Sequence, residues 1–308
     1  MNTKGFFDLC VPENHFTKEN CVATLKVLRQ YGYRTIAINQ VIREKPEANK
    51  ENNKKKKKKG DAKDNNELVP EPIKIDETLL KDFEDMTILN RLTVTFSDKD
   101  FYYKVTKSPN FKKYTILAVL PTTKIAFMFI CTSVEADILT YCGEEKEFRI
   151  DRNSYNHLIR KGFFFEILYG PTKEDSTIRK NTINRSHLYH SIGKSRNIIL
   201  SSGVSNLIYL SSAYDVINLG IIFGLNMQQA KDAISHHGLE LCPKAVGRCH
   251  GKSIVMVETI ASNDDISLIE IDDSVQIVEE ISTVQIEDSD EETMLLDEPV
   301  PKKMKRKK

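Results

Sequence analysis

The sequence predicts an α/β fold built on a parallel sheet, and three observations carry that prediction. The first is the unit from Gly162 to Gly203. Phe163 to Leu168 is an aromatic and β-branched run closed by Gly170-Pro171, which reads as a strand followed by a breaker. Thr172 to Ile192 has Glu174 and Asp175 near its start and bases further on, which suits a helix and its dipole. Asn197 to Leu200 is then almost wholly apolar. Strands that are apolar on both faces and separated by a helix belong to a parallel sheet covered by helices. The second observation is the same order at the start of the chain. The third is the presence of seven or eight strand candidates across residues 1–258, separated by helical or loop crossovers. That alternation suits a closed α/β barrel or an open doubly wound sheet.

Phe6 to Val11 is the first strand, bounded by Pro12. Glu19 to Tyr31 places Val22, Leu25 and Leu28 around one helix, with Gly32 where a C-cap falls, and Thr35 to Asn39 is the second strand. The pattern then stops. Lys54 to Lys59 run without interruption, followed by GDAKDNNE and the pair Pro70 and Pro72. Few apolar groups and self-repelling charges cannot offset ordering entropy, so residues 44–74 are expected to be a disordered insertion. Leu79, Leu80, Phe83 and Met86 suit one short helix. Ile88 to Phe96 is a long strand candidate with Arg91 inside it, and a buried guanidinium needs a paired acceptor, so Arg91 is expected to anchor a structural ion pair. Tyr114 to Leu120 is the next strand, stopped by Pro121, and Thr122-Thr123 caps a helix over Ile125 to Cys131. Ala136 to Tyr141 is a further strand ended by Gly143. After the central unit come a mostly apolar helix over Tyr214 to Leu225, a helix over Met227 to Ser235 capped by Asn226, and a last strand over Ser253 to Glu258.

Charge is segregated behind a net value of +1. Residues 261–299 hold fourteen acidic groups and no Lys or Arg, residues 302–308 hold six basic ones, and residues 1–260 carry 39 basic against 30 acidic groups. A basic body suggests a polyanionic partner. The expected organisation is one domain over residues 1–258 and a disordered acidic tail over 259–308. The first residues lack the apolar core of a signal peptide, no apolar run approaches a membrane span, and six cysteines have no regular spacing. These features lead us to expect a soluble, intracellular, thiol-reduced protein with no membrane partner.

Most catalytic motifs are absent. There is no GxxxxGK[ST] loop and no GxGxxG after a strand, and Ser201-Ser202-Gly203 lacks the frame of a nucleophile elbow. His236, His237, Cys242, Cys249 and His250 match no zinc spacing, and nothing fixes the separation of Glu166 and Asp175 as an acid/base pair. No catalytic residue and no metal ligand is therefore assigned. The positive signal is basic and aromatic. Arg152, Arg160, Lys161, Arg179, Lys180, Arg185, Lys194 and Arg196 crowd around the central unit, with Tyr155, Tyr169 and Tyr189 interleaved. Such bases hold phosphates while rings stack bases, which suits RNA.

Six blocks carry a family resemblance: FDLCVP at 7–12, YGYRTIAIN at 31–39, ILNRLTVTFSD at 88–98, KGFFFEILYGPTKEDSTIRKNTI at 161–183, NIILSSG at 197–203 and YDVINLGIIFGL at 214–225. Over most of residues 5–258 the chain resembles the thirty-kilodalton protein subunit family of eukaryotic ribonuclease P and ribonuclease MRP. The resemblance implies a TIM-type (β/α) barrel and a non-catalytic RNA-binding role in removing 5′ leaders from precursor tRNA, with a role in rRNA processing through ribonuclease MRP. It implies no cofactor for the subunit itself, Mg²⁺ on the RNA of the holoenzyme, and precursor tRNA as an indirect partner. The direct partners would be the catalytic RNA and other protein subunits, including a small α/β subunit. The expected RNA-contacting residues are Arg152, Lys161, Arg179, Lys180, Arg185, Lys194 and Arg196. Related phosphoesterase barrels begin with His-x-His where this chain has Asp8-Leu9-Cys10, so a metal-dependent phosphoesterase is the alternative reading. Lys302, Lys303, Lys305, Arg306, Lys307 and Lys308 resemble a nuclear-localisation signal, in keeping with a nuclear and nucleolar protein. Ser289, followed by Asp290-Glu291-Glu292, suits an acid-directed kinase.

Overall fold

The computed structural model describes residues 5–44, 68–143 and 148–251. Its centre is a seven-stranded, wholly parallel sheet in the order β1 to β7, so each strand pairs with the next one in sequence. The elements are β1 (Phe6–Pro12), α1 (Cys21–Gln30), β2 (Tyr33–Arg43), α2 (Glu77–Leu80), β3 (Thr87–Phe96), α3 (Lys99–Thr106), β4 (Ile116–Pro121), α4 (Lys124–Ser133) and β5 (Ile138–Leu139). There follow α5 (Arg152–Arg160), β6 (Phe164–Leu168), α6 (Gly170–Glu174), α7 (Ser176–Gly193), β7 (Ile198–Ser201), α8 (Ala213–Ile222), α9 (Met227–Ile234) and α10 (His236–His250). The sequential order rules out the doubly wound sheet. The two outer strands also meet: Gly203 N–H donates to the Cys10 carbonyl (2.8 Å), and the sheet curls into a nearly closed barrel of TIM type.

The strand residues alternate between the two cores that such a barrel requires. On β3, Leu92, Val94 and Phe96 pack outward with Leu25 and Leu28 of α1 and with Phe127 and Ile130 of α4. On the inner side, Phe7, Leu9, Ala37, Ile116, Ala118, Ile138, Phe164 and Ile199 fill the lumen together with Leu241, Cys242 and Ala245 of α10. Most of these lumen residues begin their strands, so α10 plugs the N-terminal end of the barrel. Arg248 reaches Asp137 and the Thr115 carbonyl just ahead of β5 and β4, and Lys244 Nζ donates to the carbonyls of Lys161 and Gly162 ahead of β6.

The expected caps are present. The Thr123 hydroxyl accepts from Ala126 N–H, and Asn226 and Gln229 form a reciprocal capping box. Gly220 lies where a Cβ would stand 2.7 Å from the Ala230 Cβ, so the absence of a side chain there serves close packing of α8 on α9. Three expectations are corrected. The helix expected over Thr172 to Ile192 is two helices, because the Asp175 carboxylate accepts from Thr177 and Ile178 N–H and caps α7. Helices α3, α5 and α10 were not anticipated. The unstructured stretch does not extend over all of 44–74. Glu44 accepts from Ser97 N–H and Oγ, and Val69 is buried with its carbonyl bonded to Asn110 Nδ2. Residues 45–67, including the Lys54 run, the strand expected at 253–258 and the tail at 259–308 lie outside the described residues.

Candidate functional site

Catalysis in barrels of this type is organised at the C-terminal ends of the strands. Midway along the lumen this chain instead holds a self-neutralising pair. Arg91 on β3 donates from both terminal nitrogens to Glu166 on β6 (2.5 and 2.6 Å), and the two side chains are 1% and 0% exposed. Arg91 Nη1 also donates to the Leu9 carbonyl on β1 (2.7 Å) and Nε to Thr93 Oγ1, which in turn donates to Asn39 Oδ1 (2.6 Å). The guanidinium thereby ties β1, β3 and β6 together across the lumen. The structural ion pair expected of Arg91 is present, and its acceptor is a carboxylate that the sequence had offered only as half of an acid/base pair. Asp175, the other half, caps α7.

Beside this pair, Asp8 joins β1 to β7. Its Oδ1 accepts from Ser202 N–H (2.9 Å) and Cys10 N–H (3.3 Å), while Oδ2 has no hydrogen-bond partner among the described residues. Burial raises the Asp8 carboxyl above its ordinary range, and the Glu166 charge adds to that; the bonds from Ser202 and Cys10 oppose it. A raised pKa in the folded state gives stability that is full below the unfolded value and lost as pH rises through the folded one. Asp8→Asn keeps the Oδ1 acceptor and removes the charge. It is therefore expected to raise the melting temperature at pH 7, with the gain shrinking toward pH 4. A variant less stable at pH 7 would mean that the ionised carboxylate has a partner. Burial likewise pushes the Cys10 thiol far up, which removes it as a nucleophile. Among the described residues no three His, Cys, Asp or Glu side chains are placed to hold a metal ion.

The seven expected RNA-contacting residues divide into three groups. Arg152 and Arg196 come together at the C-terminal end of α7, where Arg152 Nε donates to the Ile192 carbonyl (3.1 Å) and Arg196 Nε to that of Gly193 (3.3 Å). Lys194, the left-handed C-cap residue, lies beside them, and all three are exposed. Arg179 and Lys180 are exposed near the N-terminal end of α7, about 22 Å away along the helix axis at 1.5 Å per residue. The remaining two are corrected. Arg185 is 2% exposed, with its guanidinium between the rings of Tyr141 (4.4 Å) and Phe148 (5.2 Å), so it is a core residue. Lys161 is half-buried and its ammonium donates to the carbonyls of Ile130, Cys131 and Val134, completing the end of α4. The interleaved rings of Tyr155, Tyr169 and Tyr189 are buried as well, so none is a stacking platform. Tyr155 instead stacks on Phe165 at 4.1 Å inside the outer core.

A second exposed surface is apolar. Tyr214, Ile221 and Ile222 stand on the solvent side of α8, and Met227 opens α9 beside them; all four are exposed. The spacing of 214, 218, 221 and 222 is one helical face. No helix among the described residues is long and apolar enough to cross a membrane.

Comparison with known proteins agrees with this geometry. A family model described as RNase P subunit p30 matches residues 5–248. The chain is 31% identical over 212 residues to ribonuclease P protein subunit p30 of Mus musculus, an alignment covering 66% of this chain and 72% of that one. It is 23% identical over 270 residues to the ribonuclease P/MRP protein subunit RPP1 of Saccharomyces cerevisiae, covering 87% and 85% of the two chains. Among solved structures, a chain of an archaeal ribonuclease P with mature tRNA superposes with a TM-score of 0.55 at 14% identity, covering 84% of this chain and 100% of that one. That likeness is one of fold.

Proposed function

The chain belongs to the RNase P subunit p30 family, and from that premise we propose that it is a non-catalytic protein subunit of ribonuclease P. In this role it binds the particle's RNA and packs against neighbouring subunits during removal of 5′ leaders from precursor tRNA. The observation that supports a non-catalytic role is the Arg91–Glu166 pair, which occupies the lumen with charges that neutralise each other. The alternative of a metal-dependent phosphoesterase is replaced by the family assignment. The Mg²⁺ of the particle is assigned to its RNA, and precursor tRNA is an indirect partner. The P/MRP name of the yeast relative supports extending the role to ribonuclease MRP and rRNA processing.

The RNA contacts are assigned to the two exposed ends of α7: Arg152, Lys194 and Arg196 at one, Arg179 and Lys180 at the other. Replacing Lys194 and Arg196 by Ala, and separately Arg179 and Lys180, is expected to weaken RNA binding. Each lost phosphate contact should remove roughly 0.7–0.9 from the slope of log affinity against log salt. Anisotropy titrations at several salt concentrations check this, and a folded pair variant with an unchanged slope would remove that end of α7 from the RNA site. The exposed α8 face, with Tyr214, Ile221 and Ile222, suits a protein partner, and the small α/β subunit is assigned to it.

Nuclear and nucleolar residence is assigned to Lys302, Lys303, Lys305, Arg306, Lys307 and Lys308, with Ser289 as a kinase acceptor in the acidic segment before them; all lie outside the described residues. A large fluorescent reporter carrying residues 299–308 should enter the nucleus. Cytoplasmic retention, with entry of a reporter carrying residues 50–63, would transfer the signal to the Lys54 run.

A further inference from the structure

The RNA role leaves base stacking unassigned, because the tyrosines of the 152–196 block are buried. The described surface presents an exposed tyrosine among lysines elsewhere. On α3 and its C-cap, Lys99, Tyr103 and Lys107 recur every four residues, which places them on one helical face about 6 Å apart along the axis. Tyr103 is 47% exposed, whereas its neighbours Tyr102 and Val105 are buried and anchor the helix. The ring is oriented from one side: Phe129 of α4 meets it edge-to-face, with centroids 5.4 Å apart and planes at 69°. Phe129 is itself part of the outer core, through Phe96 and Tyr102. A ring held in this way loses little freedom when a base stacks on it.

The surroundings add further basic and apolar groups, with the exposed carboxylates Asp98 and Asp100 on either side of Lys99. Ile125, one turn before Phe129 on α4, is 80% exposed, and Lys124 beside it is also exposed. Lys99, Lys107 and Lys124 have no ion-pair partner among the described residues. Asp100 stands four residues before Lys104, the spacing that brings opposite charges together on a helix, so the site's bases are Lys99, Lys107 and Lys124. Protein–protein interfaces are depleted in lysine, whereas single-strand sites combine lysines with an exposed aromatic ring. That contrast decides the class of partner.

We propose that the α3–α4 face is a single-stranded RNA site, where one unpaired base stacks on Tyr103 and the flanking phosphates meet Lys99 and Lys107. This site rests on the RNA-subunit role and adds to it a surface distinct from the two ends of α7. The test uses the full chain and two probes: a fluorescein-labelled twelve-nucleotide oligouridylate and a structured ribonuclease P RNA. Tyr103→Ala and Tyr103→Leu are expected to weaken oligouridylate binding about tenfold, while Tyr103→Phe stays close to wild type. The leucine variant keeps apolar packing on Phe129, so a loss there is a loss of stacking. The two uncharged variants should leave the salt slope unchanged, whereas Lys99→Ala with Lys107→Ala should lower it by roughly 0.7 per contact. Wild-type affinity in Tyr103→Leu overturns the site and leaves the RNA-subunit role standing, as does binding of the structured RNA without any binding of oligouridylate. Failure of the wild-type chain to bind either RNA overturns both. Unchanged RNA binding with lost capture of another subunit makes the face a protein contact and overturns the proposal.

Discussion

Arg91→Ala is expected to destabilise the protein by about 3–5 kcal/mol, because it leaves the Glu166 carboxylate buried and unpaired. Two further groups lose their partner in the same step, the Leu9 carbonyl and Thr93 Oγ1 as an acceptor, and the lumen space that the side chain filled is emptied. For a domain of this size each kcal/mol lowers the melting temperature by roughly 2–4 °C, so the shift should be readily measured by circular dichroism. Glu166→Ala should cost a similar amount by leaving the guanidinium unpaired. The paired replacement Arg91→Met with Glu166→Leu should be more stable than either single variant, since it removes both charges and restores apolar volume. A fully stable Arg91→Ala would show that the pair does not hold the barrel together, and that the lumen admits enough water to solvate Glu166.

Arg248→Ala should have the second-largest effect, on the order of 3 kcal/mol. Arg248 brings Nε and Nη2 to the buried Asp137 carboxylate (3.1 and 2.8 Å) and donates to the Thr115 carbonyl (3.0 Å). Asp137 retains only Leu117 N–H (2.8 Å) when the guanidinium is gone. The loss should also be local, since this contact clamps α10 across the N-terminal end of the barrel. Hydrogen exchange should therefore rise in α10 well before it rises in β2 and β3. Arg248→Lys should recover less than half of the loss, because an ammonium cannot bridge the carboxylate and the carbonyl with the same fork. Uniform exchange across the domain would mean that α10 does not unlatch separately. In that case the pair would contribute only to global stability.

How much of the site was legible can be judged residue by residue. Arg91 was conspicuous because a guanidinium interrupts a β-branched run, and its need for an acceptor followed from desolvation alone. Its partner was not conspicuous. Glu166 is 75 positions away, and the strand stagger around the barrel decides which carboxylate faces it. Arg185 and Lys161 failed for a related reason. Their spacing on helix and turn looked like that of solvated bases, yet Arg185 lies under Tyr141 and Phe148, and Lys161 lies under the last carbonyls of α4. The interleaving of the block's tyrosines with bases suits stacking, but aromatic spacing says nothing about which face is covered. Helix α10 was missed because Pro243 and the surrounding His and Cys residues obscured its periodicity. Its apolar stripe becomes intelligible only against the open end of a barrel.

By itself the sequence determined the alternation of strands and helices around the central unit, the caps at Thr123 and Asn226 where its polar residues precede apolar runs, the parallel sheet, and the family. These follow from interactions between residues a few positions apart, or from runs whose both faces are apolar. Only the tertiary structure decided that seven strands close on one another through Cys10 and Gly203, that α10 is the plug, and which charges meet across the lumen. It also decided which bases and rings are left to solvent. Those outcomes depend on contacts such as Arg248 with Asp137, 111 positions apart, and a local periodicity of two or 3.6 residues carries no information about partners at that range.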